Sequence, residues 1–262
     1  MADEALLSCR EVTVRFGGIV ALDAVSFDVS AGSIHGLIGP NGAGKTTLFN
    51  CLSRLYPLQA GELHFRGTSL LDCSSHDIAR LGIGRTFQNL AMFATLSVRR
   101  NIMVGAHSRS TGGFLATAVR SPAARREEER LLARADEIVD YLGLGHVRHT
   151  PVHALPFGVQ KRVELGRALA CEPALLLLDE PAAGLGHEEL AGLGTLIRDI
   201  RDRLGITVLL VEHHMNLVMN ICDRLTVLNF GRRIAEGTAD EIQAHPDVVA
   251  AYLGATSHAK AA

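Results

Sequence analysis

The sequence predicts an α/β fold with a mainly parallel sheet, and three observations carry that expectation. Short, largely apolar runs at Ile34–Ile38, Leu175–Leu178 and Thr207–Val211 have the length and composition of buried parallel strands. Each leads into a loop or a helix-forming stretch such as Glu188–Leu204, and strands alternating with helices indicate a parallel sheet. A chain of 262 residues, 47% of them hydrophobic, buries a sizeable core.

In chain order, Glu11–Arg15, Ala24–Val29 and Glu62–Phe65 alternate apolar and polar residues and read as antiparallel strands. Ile34–Ile38 is the first parallel strand, and a helix begins near Thr46. From Ser97 to about Arg148 no strand pattern occurs. Arg120–Leu142 is charged and helical with Pro122 in its first turn, Arg125–Arg130 is set for i,i+4 ion pairs on a solvated face, and Thr111-Gly112-Gly113 reads as a loop. Leu225–Leu228 reads as a fourth buried strand. The expected organisation is a core from residues 1–95 and 160–262, with an antiparallel β portion and C-terminal helices, interrupted by a helical insertion at 96–159.

Bulk properties exclude several classes. A net charge of −2 argues against a general nucleic-acid binder. The five cysteines are scattered without a CxxC pair, as expected of reduced thiols. The first residues carry Asp3 and Glu4 and do not read as a signal peptide, and no run of about 18 apolar residues occurs. Work at a membrane therefore requires another chain to hold this one there.

Gly39-Pro40-Asn41-Gly42-Ala43-Gly44-Lys45-Thr46 fits GxxxxGK[ST] between a strand and a helix, the context that this phosphate-binding motif requires. Glycines let successive backbone N–H groups turn inward around phosphate oxygens, and the helix N-terminus adds partial positive charge. Lys45 is expected on the β- and γ-phosphates and Thr46 on Mg²⁺, with Thr47 completing the set. The strand Leu175–Leu178 ends in Asp179-Glu180, a carboxylate pair that is costly beside apolar residues unless it meets a cation or water. Asp179 suits Mg²⁺ coordination, and Glu180 suits polarising an attacking water. The loop and the pair together give a P-loop NTPase.

Further segments in the same order resemble the ABC transporter ATPase family. They are Gln88 in Arg85-Thr86-Phe87-Gln88-Asn89 (the glutamine loop), Leu155–Arg162 at the signature position, Pro181–Gly186 at the D-loop, His213 after Thr207–Val211 (the switch histidine), and Phe16 before Gly17-Gly18 (the adenine-stacking aromatic). The resemblance implies ATP and Mg²⁺ as cofactors, with Thr46, Gln88 and Asp179 around the metal. It assigns catalysis to Glu180, His213, Gln88 and Lys45. It implies a composite site in which the signature helix of a second subunit, starting near Gly158, covers the γ-phosphate.

Finer features, Arg15–Gly18, Gly84–Gln88, Asp179–Leu185 and Pro246–Gly254, are similar to the ATPase subunits of branched-chain amino acid uptake systems. Urea and amide importers and the lipopolysaccharide-export ATPase look alike at this level. A soluble ABC ATPase acting on nucleic acid usually has two ATPase units or a long coiled-coil insertion, and this chain has one phosphate loop and a short insertion. The partners implied are multi-spanning permease subunits, a second identical or non-identical ATPase subunit and, indirectly, a solute-binding protein, with no nucleic acid. The implied place is the cytoplasmic face of the cell membrane.

Against the family signature LSGGQ, Pro156 replaces Ser, Phe157 replaces Gly and Val159 replaces Gln, while Gly158 remains. Gly186 stands where the D-loop usually has Asp or Asn, and His214 stands where Asp usually follows the switch histidine. These departures bear on hydrolysis rate rather than on ATP binding. His146, His149 and His153 have metal-like spacing but read as surface histidines. His213-His214 is not expected to form a metal pair, because adjacent residues on a helix do not face together.

Overall fold

The computed structural model describes residues 5–86, 92–109 and 122–258. Chain order runs β1 (Ala5–Phe16), β2 (Ile19–Ser30), β3 (Ile34–Ile38), α1 (Lys45–Leu52), β4 (Ala60–Phe65), β5 (Thr68–Ser69), α2 (Asp77–Leu81), β6 (Ile83–Arg85), α3 (Val98–Gly105), α4 (Pro122–Tyr141), α5 (Phe157–Leu169) and β7 (Leu175–Asp179). It continues with α6 (His187–Leu204), β8 (Thr207–Val211), α7 (Met215–Ile221), β9 (Arg224–Asn229), β10 (Arg232–Gly237), α8 (Ala239–Ala244) and α9 (Pro246–His258). Two compact units result, Met1–Ile78 with Leu177–Ala262, and Ala79–Leu176.

The first unit holds an antiparallel sheet in the order β2-β1-β4-β5, and a second sheet in which β10, β9, β3, β8 and β7 are successive neighbours. β3 runs parallel to β8 and β9, and β10 closes the edge antiparallel to β9. Every residue of β3, β7 and β8 is buried, which is why these strands are largely apolar without alternation. At the centre, His35 Nε2 lies 2.9 Å from Thr226 Oγ1, and burial pushes the imidazole down to about 4.

β1 and β2 are each twelve residues, longer than the alternation indicates. A register shift between Cys9 and Val12 marks a bulge at Glu11, whose φ is 48°, and the Glu11 amide donates to Ser26 Oγ at 2.8 Å. The extra residue breaks the period of two and hides the continuation of the strand.

The second unit is mostly helical. α3 and α5 cross closely: a Cβ on Gly105 would lie 2.0 Å from the Arg167 carbonyl oxygen, and one on Gly166 would lie 2.8 Å from Ile102 Cδ1. Asp136 of α4 pairs with Arg99 at 2.5 Å, and buried Asn101 both accepts from the Phe93 amide and donates to its carbonyl, each at 3.0 Å. On α4, Glu127–Arg130 and Arg134–Glu137 pair at i,i+3 rather than the expected i,i+4 spacing. α5 begins at Phe157, one residue before the start near Gly158 that the resemblance implies. Pro156 sits as its N-cap at φ −56°, and its carbonyl accepts the Val159 and Gln160 amides at 3.0 Å each.

Candidate functional site

The turn from β3 into α1 is shaped by backbone that approaches closely. Gly39 has φ 149°, and a Cβ there would lie 2.1 Å from the Leu228 carbonyl oxygen; Gly44 has φ 101°, and a Cβ there would lie 2.6 Å from the Ala21 carbonyl oxygen. Only glycine fits both conformations and both contacts. The Ala43 carbonyl accepts the Gly231 amide at 3.1 Å, which ties the loop to the turn after β9. Lys45 opens α1 with its side chain buried, and its Nζ donates to the Gly39 carbonyl at 2.7 Å and the Pro40 carbonyl at 2.9 Å. Burial pushes the ammonium down, and the charges of Glu180 and Asp179 pull it back up, so both carboxylates act on the lysine. Thr46 is exposed beside it.

Asp179 ends β7 and is 2% exposed. Glu180 follows at φ 48°, a left-handed conformation that L-residues adopt at a cost, and its amide donates to the Val211 carbonyl at 2.9 Å. That bond fixes the carboxylate pair to the end of β8. A threonine hydroxyl at the start of α1 and a buried aspartate acting on the same lysine are hard oxygen donors, and this set fits Mg²⁺. Gln88, the remaining expected metal contact, lies outside the described residues.

β8 runs straight into a carboxylate that the sequence reading missed. Glu212 is wholly buried, and its Oε1 accepts the Ala182 amide at 2.7 Å. Its Oε2 accepts the amides of His213 and His214 at 3.0 and 3.2 Å and lies 3.0 Å from His214 Nδ1. The signal was available: an apolar strand ending in a carboxylate, the same cue that picked out Asp179 and Glu180. His213 and His214 precede α7 and are not helical, so the helical argument against their facing together fails. Their ring centroids are 4.4 Å apart, and Glu212, His213 and His214 offer ligand atoms within 4.8 Å of one another. His146, His149 and His153 are exposed, and His153 Nδ1 lies 2.9 Å from the Ala94 carbonyl.

With this geometry in place, the chain can be set beside known proteins. The ABC transporter family profile matches residues 22–183. The chain belongs to the ABC transporter ATPase family. A second profile, branched-chain amino acid ATP-binding cassette transporter, matches residues 232–258. The high-affinity branched-chain amino acid transport ATP-binding protein LivG of Salmonella typhimurium is 40% identical over 251 residues, covering 96% of this chain and 98% of that one. The high-affinity branched-chain amino acid transport ATP-binding protein BraF of Pseudomonas aeruginosa is 39% identical over 95% of this chain and 98% of its own. The ADP conformation of an ATP-binding cassette of an ABC transporter superposes with a TM-score of 0.83 at 30% identity, covering 95% of this chain and 99% of that one.

This ABC ATPase binds and hydrolyses ATP as the ATP-binding subunit of a transporter complex. Its other predicted site residues fall as follows. Phe16 is 45% exposed at the end of β1 and meets Tyr56 edge-on at 5.1 Å, a partner distant in sequence and unsignalled by any motif. Gly158 lies in the first turn of α5, half-buried, between exposed Phe157 and half-buried Val159. Lys161 Nζ sits 5.7 Å from the Phe157 ring centroid, and Gln160 Nε2 donates to the Leu155 carbonyl at 2.8 Å. Gly186 caps α6, and its amide donates to Glu189 Oε2 at 2.9 Å. His214 occupies the N-cap of α7 without capping it, its ring turned to Glu212 instead.

Proposed function

We propose that this ATPase drives uptake of branched-chain amino acids through a multi-spanning permease. Two ATPase subunits, identical or not, sandwich ATP at each composite site. The 232–258 match to the branched-chain type carries this reading, because that segment lies outside the general ATPase profile. The whole-length likeness to LivG and BraF supports it. Among the described residues no helix is long and apolar enough to cross a membrane, which favours a peripheral place on the inner face through the permease, with a solute-binding protein acting indirectly.

In this reading the adenine stacks on Phe16, and Gly39–Thr47 cradle the phosphates, every backbone N–H but that of Pro40, which has none, being a possible donor. Lys45 leaves the carbonyls of Gly39 and Pro40 and turns to the β- and γ-phosphates. Thr46, Asp179 and Gln88 would hold Mg²⁺, which when bound would offset phosphate charge. Glu180 orients and deprotonates the attacking water, and His213 contacts the γ-phosphate. The partner's α5, with amides near its Gly158, caps the phosphate from across the dimer. The helical insertion at 96–159 moves as the pair closes, and Gln88 links that motion to the permease.

Deleting the gene and following labelled leucine, isoleucine and valine beside urea and a short amide tests the assignment. Loss of amino acid uptake alone is expected. Unchanged amino acid uptake with another solute lost transfers the subunit to that solute and leaves the ATPase intact.

A further inference from the structure

One buried carboxylate serves two loops that the catalytic motifs treat separately. Glu212 is wholly buried, where a carboxylate is costly unless several donors satisfy it. Its donors divide cleanly. Oε1 takes the Ala182 amide, in the Pro181–Gly186 segment after β7, at 2.7 Å. Oε2 takes the amides of His213 and His214 and faces His214 Nδ1, at 3.0, 3.2 and 3.0 Å. Two backbone N–H donors and an imidazole nitrogen crowd Oε2, which marks a hydrogen-bond hub rather than an open metal ligand. The carboxyl group is planar and rigid, so one loop cannot shift against the other without lengthening a charge-assisted bond.

We propose that Glu212 is a positioning residue for ATP hydrolysis: it locks the D-loop amide of Ala182 and the backbone of His213 into one geometry. Displacement of the D-loop when a second subunit docks is thereby transmitted to the switch histidine. The inference rests on the reading of His213 and of residues 181–186 given above. Glu212 lies outside the phosphate loop, which with Lys45 carries most of the ATP affinity, so its effect falls mainly on turnover.

The test is Glu212→Gln in the full chain, with Glu212→Asp as a second variant. Glutamine has the shape of glutamate, but its one carbonyl oxygen serves either Ala182 or the histidine amides, and its NH₂ group then opposes the other donors. Labelled-ATP affinity, kcat and KM are measured for each variant. The expected result is affinity within about twofold of wild type, kcat reduced about thirtyfold or more in Glu212→Gln, and at least threefold higher turnover in Glu212→Asp, which keeps the carboxylate. The proposal is overturned by a Glu212→Gln kcat within threefold of wild type, by affinity falling in step with kcat, by Glu212→Asp no faster than Glu212→Gln, or by neither variant binding ATP. A wild-type chain without turnover would instead defeat the underlying ATPase reading.

Discussion

Glu180 separates backbone strain from chemistry, and a pair of substitutions reads both. Its φ of 48° places an L-residue in left-handed space, held there by the 2.9 Å bond from its amide to the Val211 carbonyl. That conformation costs roughly 1–2 kcal/mol that glycine does not incur. Glycine in turn loses about 0.5–1 kcal/mol through greater freedom in the unfolded chain. Glu180→Gly should therefore stabilise the protein by about 0–1.5 kcal/mol, a rise of up to roughly 6 °C in Tm for a chain of this size. Glu180→Gln keeps the same backbone, and its Tm should stay within about 1 °C of wild type. Both variants lose the carboxylate proposed as the base and should release phosphate at least about 100-fold more slowly. Thermal unfolding by circular dichroism and steady-state phosphate release give the two readouts. A lower Tm for Glu180→Gly refutes the strain argument. Phosphate release by Glu180→Gln within tenfold of wild type moves the base elsewhere. With ATP and Mg²⁺, Glu180→Gln should also accumulate a dimer on size-exclusion chromatography.

Other perturbations give equally direct outcomes. Lys45→Ala should weaken labelled-ATP binding by two orders of magnitude or more, since two charge-assisted hydrogen bonds contribute about 1.5–3 kcal/mol each; wild-type affinity would refute the loop assignment. Gly39→Ala sets a Cβ 2.1 Å from the Leu228 carbonyl oxygen and should cost at least about 2 kcal/mol in denaturant unfolding, with an unchanged midpoint as the contrary result. Pro156→Ser restores a hydroxyl at the N-cap of α5 and should leave ATPase activity unchanged or higher; a large loss would show that the proline sets the loop shape. His35 is held near 4 against 6.5. The unfolded chain therefore binds the extra proton first, and stability should fall as pH drops below 6.5 toward about 4, by on the order of 3 kcal/mol over the full window. His35→Asn should flatten that slope between pH 6.5 and 5 in chemical denaturation, and an unaltered slope would point to another group.

The parts of the fold legible in the sequence are those where one physical demand dominates. β3, β7 and β8 are buried on both faces, so their residues had to be apolar and their ends stand out. The phosphate loop shows through its glycines, because Gly39 and Gly44 meet backbone at distances no side chain tolerates. Where two demands compete, the pattern blurs. The bulge at Glu11 interrupts alternation and shortens the apparent strand. Pro156 and Gly158 have low helix propensity, yet proline suits the position before a first turn, so α5 starts at Phe157, ahead of its apolar period. The bond from the Ala182 amide to Glu212 and the Phe16–Tyr56 contact join residues by tertiary packing, which local spacing does not encode, although Glu212 itself stands out as a carboxylate ending an apolar strand. His213 and His214 face together because the chain between β8 and α7 is neither strand nor helix, and the sequence period gave no sign of that irregular step.

The two carbonyls that hold Lys45 Nζ have a consequence for which anions the loop accepts. The lysine already has ligands of its own, so docking a phosphate is an exchange and not an addition. An incoming group has to outcompete a pair of neutral oxygens at 2.7 and 2.9 Å before it gains anything from the ammonium. A lone or weakly charged phosphate gains little from that trade, whereas a polyphosphate chain, bringing several charged oxygens at once, gains at each. With Lys45 on the phosphates as proposed, ADP and AMP are expected to release the lysine progressively less often than ATP does.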